Sequence, residues 1–579
     1  MMMTIISNWI SSRIGRALMY SVCVLSVVKA ERPNVILIMT DDQGYGDFEC
    51  LGNPILTTSE MNKLHAESLR FTDFHVSPFC TPTRAALMTG HYPGRTGAYR
   101  TSSGRTTMHN DEVTVANVFA DNGYVTGLVG KWHLGDSAPH RPQDRGFQEV
   151  LWHKAGGIGQ GPDYWQNDYF DDVYERASAE DKQGKYEQFQ GYCTDVWFDE
   201  AMQFVERHQD EPFFLYLAPN APHGPYRVGE KWMEPFAELE DKGERAFFGM
   251  IENLDYNLGL LRNKLDELEL SENTILIYMT DNGTAKGYRV FNAGMKGRKS
   301  STYDGGHRVP FFIHWPAGNL AAPQDIDKLA AHIDVLPTLA DLCELELPKD
   351  YAFDGVSMKP LLEDPQAEAP RDTYFVQYHG GIGLKYPIEA WTLSVVATKQ
   401  WRLMEGKVLY DMENDPGQTK DVAAEHPEVV AKLRQKYTPW WDSISPRMTP
   451  VYNDLGNPAQ NPTELFAQDW LMPVGNPPYL QGHMRGLSDV VGPHYVNVVE
   501  AGKYRIALRH APDVAEVKLQ AIKARVEIAG ISAEADIIPG SEEVVFELDL
   551  PAGQTKLLTY LTNAKGKTGG STFIVVEKI

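Results

Sequence analysis

Asn34-Val35-Ile36-Leu37-Ile38-Met39-Thr40 is a nearly unbroken apolar run that stops at Asp41-Asp42. Thr274-Ile275-Leu276-Ile277-Tyr278-Met279-Thr280 repeats the pattern and stops at Asp281-Asn282. Runs of this length and composition read as strands buried on both faces of a parallel sheet. Val125 to Val129, Phe213 to Leu217 and Val309 to His314 read the same way. Helix-like stretches lie between them at Glu60–Leu69, Asp111–Asn122, Asp199–His208 and Ala246–Leu268. Strands alternating with helices predict an α/β domain, a mostly parallel sheet flanked by helices. In such sheets ligands sit beyond the carboxyl ends of the strands. If the two runs are neighbours, Asp41, Asp42, Asp281 and Asn282 converge. Three carboxylates in one place repel unless one stays protonated or a cation joins them. An all-oxygen set favours calcium or magnesium over zinc. Each Asp taken alone is more simply a turn or helix cap; the repeated Thr-Asp ending shifts the reading to a metal site.

The remainder of the chain reads as further units. A core stops growing at roughly 250–300 residues, so 579 residues require at least two domains. We assign 31–370 to the α/β domain. From 371 to 445 short runs at Tyr374–Tyr378, Leu393–Thr398, Trp401–Met404 and Val408–Met412 precede a helix at His426–Trp441, a small antiparallel sheet carrying one helix. Residues 446–490, rich in Pro, Asn and Gly, read as a linker or surface wrap. Residues 491–579 alternate in short runs and read as an all-β module of sandwich type.

Composition excludes several classes. Apolar residues are 42% and charged residues 23%, so the chain is neither disordered nor a polytopic membrane protein. The net charge of −24 excludes a broad nucleic-acid footprint, leaving an anionic substrate only in a locally positive pocket. Residues 1–30 read as a secretory signal: Arg13 and Arg16, an apolar run from Ala17 to Val28, and Val28-Lys29-Ala30 as cleavage site. The run is too short to span a membrane, so the mature chain is expected to have no span and to be exported, periplasmic or extracellular. Cys50, Cys80, Cys193 and Cys343 remain after cleavage, too few for a disulfide scaffold. The only Asn-x-Ser/Thr sequon with x other than Pro is Asn282-Gly283-Thr284, inside the candidate site, which favours a bacterial exported protein.

Cys80 stands in Pro78-Phe79-Cys80-Thr81-Pro82-Thr83-Arg84-Ala85-Ala86-Leu87-Met88-Thr89-Gly90. Thr81 and Pro82 suit the cap and first turn of a helix. Cys80 would then sit at a helix N-terminus beside Arg84, an anion-binding position expected to depress a thiol pKa; taken alone, it reads more simply as a buried, inert cysteine.

Cys80-x-Pro82-x-Arg84 resembles the signature of the type I, formylglycine-dependent sulfatases. Gly123-Tyr124-Val125-Thr126-Gly127-Leu128-Val129-Gly130-Lys131-Trp132-His133 resembles their second signature. Asp41-Asp42-Gln43-Gly44-Tyr45-Gly46-Asp47, Ala221-Pro222-His223, Thr280-Asp281-Asn282-Gly283, Lys299 before Asp304-Gly305-Gly306-His307, His332-Ile333-Asp334 and Leu409-Tyr410-Asp411 follow in the family's order. The resemblance runs from about residue 32 to 445. Phe79 is bulkier than usual before the cysteine, and Asp304 stands where Glu is common; the module after 490 is not covered.

The resemblance implies an alkaline-phosphatase-like α/β fold and hydrolysis of sulfate esters. It implies that a maturation enzyme converts Cys80 to formylglycine, and that Asp41, Asp42, Asp281 and Asn282 bind one calcium ion against the matured Cys80. Arg84, Lys131 and Lys299 would neutralise the sulfate oxygens. His223 would protonate the leaving oxygen, and His133 would be the base in the step that expels sulfate. His307, His332, Asp334 and Asp411 are read as structural. A sulfated carbohydrate is the expected substrate, because an added β module and an export route suit a polymer outside the cell. The alternatives are a phosphonate or phosphodiester hydrolase on the same fold, and a non-catalytic glycan-binding relative.

Overall fold

The computed structural model describes residues 32–380 and 385–579. The signal expected at 1–30 lies outside the described residues. Ten strands form the main sheet: β1 Asn34–Thr40, β2 Leu69–His75, β3 Val125–Lys131, β4 Glu149–His153, β5 Val173–Ser178, β6 Lys185–Gln188, β7 Phe213–Ala218, β8 Thr274–Thr280, β9 Arg308–His314 and β10 Asp325–Ala331. Their order is β10-β2-β9-β8-β1-β7-β3-β4-β5-β6. The central block β8-β1-β7-β3-β4 is parallel throughout. Antiparallel pairs appear only towards the edges, at β9 and at β5 with β6.

Every residue of β1, β7 and β8 is buried, which accounts for their continuous apolar runs. Val35, Leu37 and Met39 join one core with Ala85 and Leu87 of the helix Cys80–Thr89. Ile36 and Ile38 face the other way, onto the helices Cys193–Arg207 and Lys242–Glu267. The period-two alternation of side chains thus fills both faces of the sheet. β1 lies between β7 and β8, with Thr40 opposite Thr280. The two strands therefore release Asp41-Asp42 and Asp281-Asn282 side by side.

A second sheet of four antiparallel strands, β11 Tyr374–Gln377, β12 Ser394–Ala397, β13 Trp401–Met404 and β14 Val408–Asp411, packs on the helix Pro427–Ile444. The C-terminal module is two stacked sheets around Val496, Ile506, Val526 and Ile574. It starts before residue 491: Asn453–Leu455 pairs with His494–Val498, and Thr463–Phe466 pairs with Phe573–Lys578. Both early strands are only three and four residues long and lie among Asn, Pro and Gly, so they carry no readable alternation. They also tie the module to the loop after β3. Ser137 Oγ donates to Glu464 O (2.7 Å), Gln460 Oε1 accepts from Ala138 N (2.7 Å), and Asp454 N donates to Ala138 O (3.1 Å). Among the described residues no helix is long and apolar enough to cross a membrane.

Candidate active site

Five segments meet at one edge of the sheet. β1 and β8 deliver the acidic pairs, and β3 ends in Lys131 with His133 two residues on. β7 leads through Ala221-Pro222 to His223, and β2 leads to the helix that begins at Cys80. That helix starts two residues earlier than its sequence indicated. Phe79 is the cap and makes no side-chain bond there, while Thr83 Oγ1 accepts from Ser77 N (3.1 Å) and donates to Ser77 O (3.0 Å). Non-glycine residues of the site hold left-handed backbone, among them Asp42 at φ 71° and His133 at φ 58°. Such conformations cost of order 1–3 kcal/mol and persist where surrounding contacts dictate them.

The carboxylates alternate with cations. Asp41 Oδ2 is 2.5 Å from Lys131 Nζ, and both side chains are fully buried. Asp281 Oδ2 accepts from Arg84 Nη2 at 2.9 Å, again fully buried. Lys299 Nζ lies 2.5 and 2.7 Å from the two oxygens of Asp42. Arg84 is held further by Tyr216 Oη (3.1 Å) and Lys131 O (3.3 Å). The sequence pattern showed the convergence but not these three pairings, which balance the acids before any metal is considered. Burial pushes Asp41 up, but the charges of Lys131, His223 and Arg84 together outweigh it and the group lies below the ordinary carboxylate range. Burial and the charge of Asp41 push Asp281 up despite Arg84. Lys299 is raised: burial would lower it, but Asp42, Cys80 and Asp41 together outweigh that.

The donor set fits a hard cation. Asp41 Oδ1 and Asn282 Oδ1 are buried without a hydrogen-bond donor, and Asp41, Asp281 and Cys80 each bring a ligand atom within 4.8 Å of the others. Buried acceptors left without donors are costly unless something else satisfies them. With three acids against three cations the cluster is neutral, so a divalent ion would make it net positive, as an anionic ester requires.

Cys80 contradicts one expectation. Its thiol is 3% exposed, and burial pushes its pKa up in spite of Lys131 and Lys299, where the helix N-terminus was expected to depress it. Desolvation outweighs the neighbouring charges, so the unmodified thiol is not poised as a thiolate. None of Cys50, Cys80, Cys193 and Cys343 is in a disulfide.

The histidines differ in their surroundings. His133 Nε2 lies 3.4 Å from Thr101 O, and its buried Nδ1 has no partner. Burial, then Lys131 and Arg84, drive it well below the ordinary histidine value, so the ring is neutral near pH 7. Its ring needs Gly156: a Cβ there would stand 2.3 Å from Cε1. His223 Nδ1 bonds Gly224 O at 2.6 Å, leaving Nε2 to face Asp42 Oδ2 at 3.8 Å. His307 bonds His75 (3.0 Å) within a buried cluster of Asp73, Asp304 and Arg402, away from the cavity. His332 bonds Ser77 (3.4 Å), Asp334 pairs with Arg371, and Asp411 caps a turn at Glu413. All four have structural partners.

A cavity of about 650 Å³ opens onto Cys80, His133, His223 and Lys299. Arg84 and Lys131 lie behind its wall, fully buried. Sequence reasoning missed the rest of the lining, including Thr101, Gln160, Tyr378, Asn476 and Tyr479. Tyr378 lies just past the end of β11; the others come from irregular segments with no periodicity to read.

A buried acidic cluster, three interleaved cations and a cysteine at the ligand-binding edge of an α/β sheet define a hydrolase of anionic esters. The sulfatase family model matches residues 33–345, and the model of the N-sulphoglucosamine sulphohydrolase C-terminal region matches 298–440. Human arylsulfatase A is 33% identical over 70% of this chain and 87% of its own length. N-acetylgalactosamine-6-O-sulfatase of Bacteroides thetaiotaomicron is 29% identical over 70% of this chain and 92% of its own. Among solved structures, Ps i-CgsB superposes with a TM-score of 0.64 at 30% identity, covering 72% of this chain and 94% of that one. The chain belongs to the sulfatase family: it is a sulfuric ester hydrolase with the alkaline-phosphatase-like fold. That family characteristically uses formylglycine and calcium, and the acidic cluster is a possible metal site.

Proposed function

We propose that this chain is an exported sulfatase acting on a sulfated carbohydrate, through a formylglycine made from Cys80 and a calcium ion held by Asp41, Asp42, Asp281 and Asn282. The observation that carries the reading is the approach of Cys80 to Asp41 and Asp281, with ligand atoms within 4.8 Å. When present, the ion would supply Lewis-acid charge and the matured side chain a hydrated aldehyde as nucleophile. The chain's own residues do the remaining work. Arg84, fixed by Asp281 and Tyr216, and Lys131, fixed by Asp41, set positive charge behind the reacting sulfate. Lys299 adds a third cation at the cavity wall. His133 is neutral with a free Nδ1, the state a general base needs. His223, its Nδ1–H donated to Gly224 O, would pass the Nε2 proton of its imidazolium form to the leaving oxygen; burial lowers its pKa, and the carboxylates of Asp41 and Asp42 oppose that.

A carbohydrate substrate is supported by the names of the relatives, one an N-acetylgalactosamine-6-O-sulfatase, and by the solved complex of Ps i-CgsB with a neocarrahexaose. Export to the periplasm or cell exterior is supported by the basic and apolar pattern of residues 1–30. Peptide mass mapping across Cys80, after expression with a maturation enzyme, tests the nucleophile. An aldehyde whose yield tracks specific activity is expected; full activity in protein carrying only the thiol would refute it.

A further inference from the structure

Part of the cavity's outer wall is built by residues beyond both family matches, which end at 345 and 440. Asn476, Tyr479 and Leu480 come from the segment between the early strands of the sandwich and its later ones. This strap is fastened in place. Gly161 N donates to Tyr479 O (2.8 Å), Leu480 bridges Gln160, and Gln481 Nε2 reaches Gln160 O, Asp163 O and Tyr164 O at 3.2, 3.3 and 3.0 Å. Asn476 is oriented from behind. Its Oδ1 accepts from Arg100 Nη2 and from Ser102 Oγ (3.2 Å). Arginine only donates, so the atom facing Arg100 must be the amide oxygen, and the Nδ2 donors are left for the cavity that Asn476 lines.

Arg100 carries more charge than its surroundings cancel. It is 1% exposed, its Nε and Nη1 have no hydrogen-bond acceptor, and no carboxylate pairs with it among the described residues. Arg105 is also buried, bonds only Tyr99 Oη, Ser103 and Met472 O, and likewise has no ion pair among the described residues. The two guanidinium groups share the ring of Tyr386, at 5.2 and 3.6 Å from its centroid. Burial lowers the pKa of Arg100, as expected for a cation without an anion. Two uncompensated charges behind a row of amide and hydroxyl donors make a locally positive wall in a chain of net charge −24.

The geometry points to a second subsite, formed by Asn476 with Thr101 and backed by Arg100 and Arg105, that binds a further anionic group of the substrate beside the sulfate being removed. The ligand is an oxyanion, sulfate or carboxylate, on a polyanionic glycan. This deepens the sulfatase reading and rests on it. Asn476 is the residue that touches substrate; Arg100 is a positioning residue that acts through it.

The test compares wild type with Asn476→Ala and Asn476→Asp on four substrates: an aryl sulfate, a neutral monosulfated disaccharide, the same disaccharide with a second sulfate, and one with a carboxylate in its place. Asn476 lies on an exposed loop, so both variants should fold. On the dianionic disaccharides KM should rise by roughly 10–100-fold in Asn476→Asp, the loss expected of a charge-assisted contact turned repulsive, and less in Asn476→Ala. Turnover of the aryl sulfate should stay within about twofold, well short of one charge-assisted contact. Whether the sulfate or the carboxylate substrate responds tells which anion the subsite takes; either response supports it. Equal effects on all four substrates, or a wild type that binds dianionic and monosulfated disaccharides alike, would overturn the subsite while leaving the sulfatase reading intact. Wild-type enzyme with no turnover of any sulfate ester would overturn both.

Discussion

Replacing His133 and His223 separately should produce different dependences on the leaving group. His133 is neutral, buried, and has one ring nitrogen with no partner, so nothing competes with its service as a base. Loss of a general acid or base costs about 10²–10⁴-fold, or about 3–5 kcal/mol of barrier. Both alanine variants should therefore be slow by that factor on a sugar sulfate, whose alkoxide leaves poorly. An aryl sulfate needs no proton on its leaving oxygen, so the His223→Ala defect should shrink there to about tenfold or less. The His133→Ala defect should persist on both, because sulfate release follows departure of the alcohol. Quantifying the alcohol and the inorganic sulfate separately gives the second readout. In His133→Ala about one alcohol per site should appear in a burst while sulfate lags. His133 packs against Gly156, so His133→Gln, which keeps most of the volume, guards against loss through repacking. If both variants show the same leaving-group dependence and alcohol never outruns sulfate, the assigned roles are wrong.

Prolonged chelation should abolish turnover, and calcium should restore it better than zinc, because Asp41, Asp42, Asp281 and Asn282 offer only oxygen; unchanged turnover after chelation would leave the cluster structural. Arg84→Met should lower unfolding free energy by about 3–5 kcal/mol, since it strands Asp281 in a fully buried pair; a denaturant midpoint equal to wild type would refute that. Stability should fall as pH drops below about 6.5. Burial holds His140, His153, His307 and His332 to about 3, so the unfolded chain binds protons there that the folded chain does not. A thermal midpoint that is flat between pH 6.5 and 4 would contradict the sign.

The part of the site that regular elements deliver was legible in the sequence. β1 and β8 are buried on both faces, so their apolar runs announce themselves, and their register makes Thr40 and Thr280 neighbours. Lys131 and His133 follow β3 for the same reason. The three acid–cation pairs were not legible, because they join Lys131 to Asp41, Arg84 to Asp281 and Lys299 to Asp42 between segments whose spatial order no local pattern encodes. The buried, inert reading of Cys80 as a lone residue holds, but the expected fall in its thiol pKa does not: a helix N-terminus can be read from Thr81-Pro82, whereas the depth of burial that outweighs it cannot. Asn476 and Tyr479 were invisible: their segment is fixed by backbone bonds to Gly161 and Gln160, contacts that leave no signature in side-chain order.

Inorganic sulfate released from a sulfated saccharide by matured wild-type protein and by Cys80→Ala, measured side by side, tests the central claim most directly. The side chain at 80 heads a helix that Arg84, Thr83 and the sheet hold in place, so alanine should leave the fold intact. Steady sulfate release by the wild type and none above background by the variant is the predicted result. Equal release by both would show that hydrolysis does not pass through residue 80.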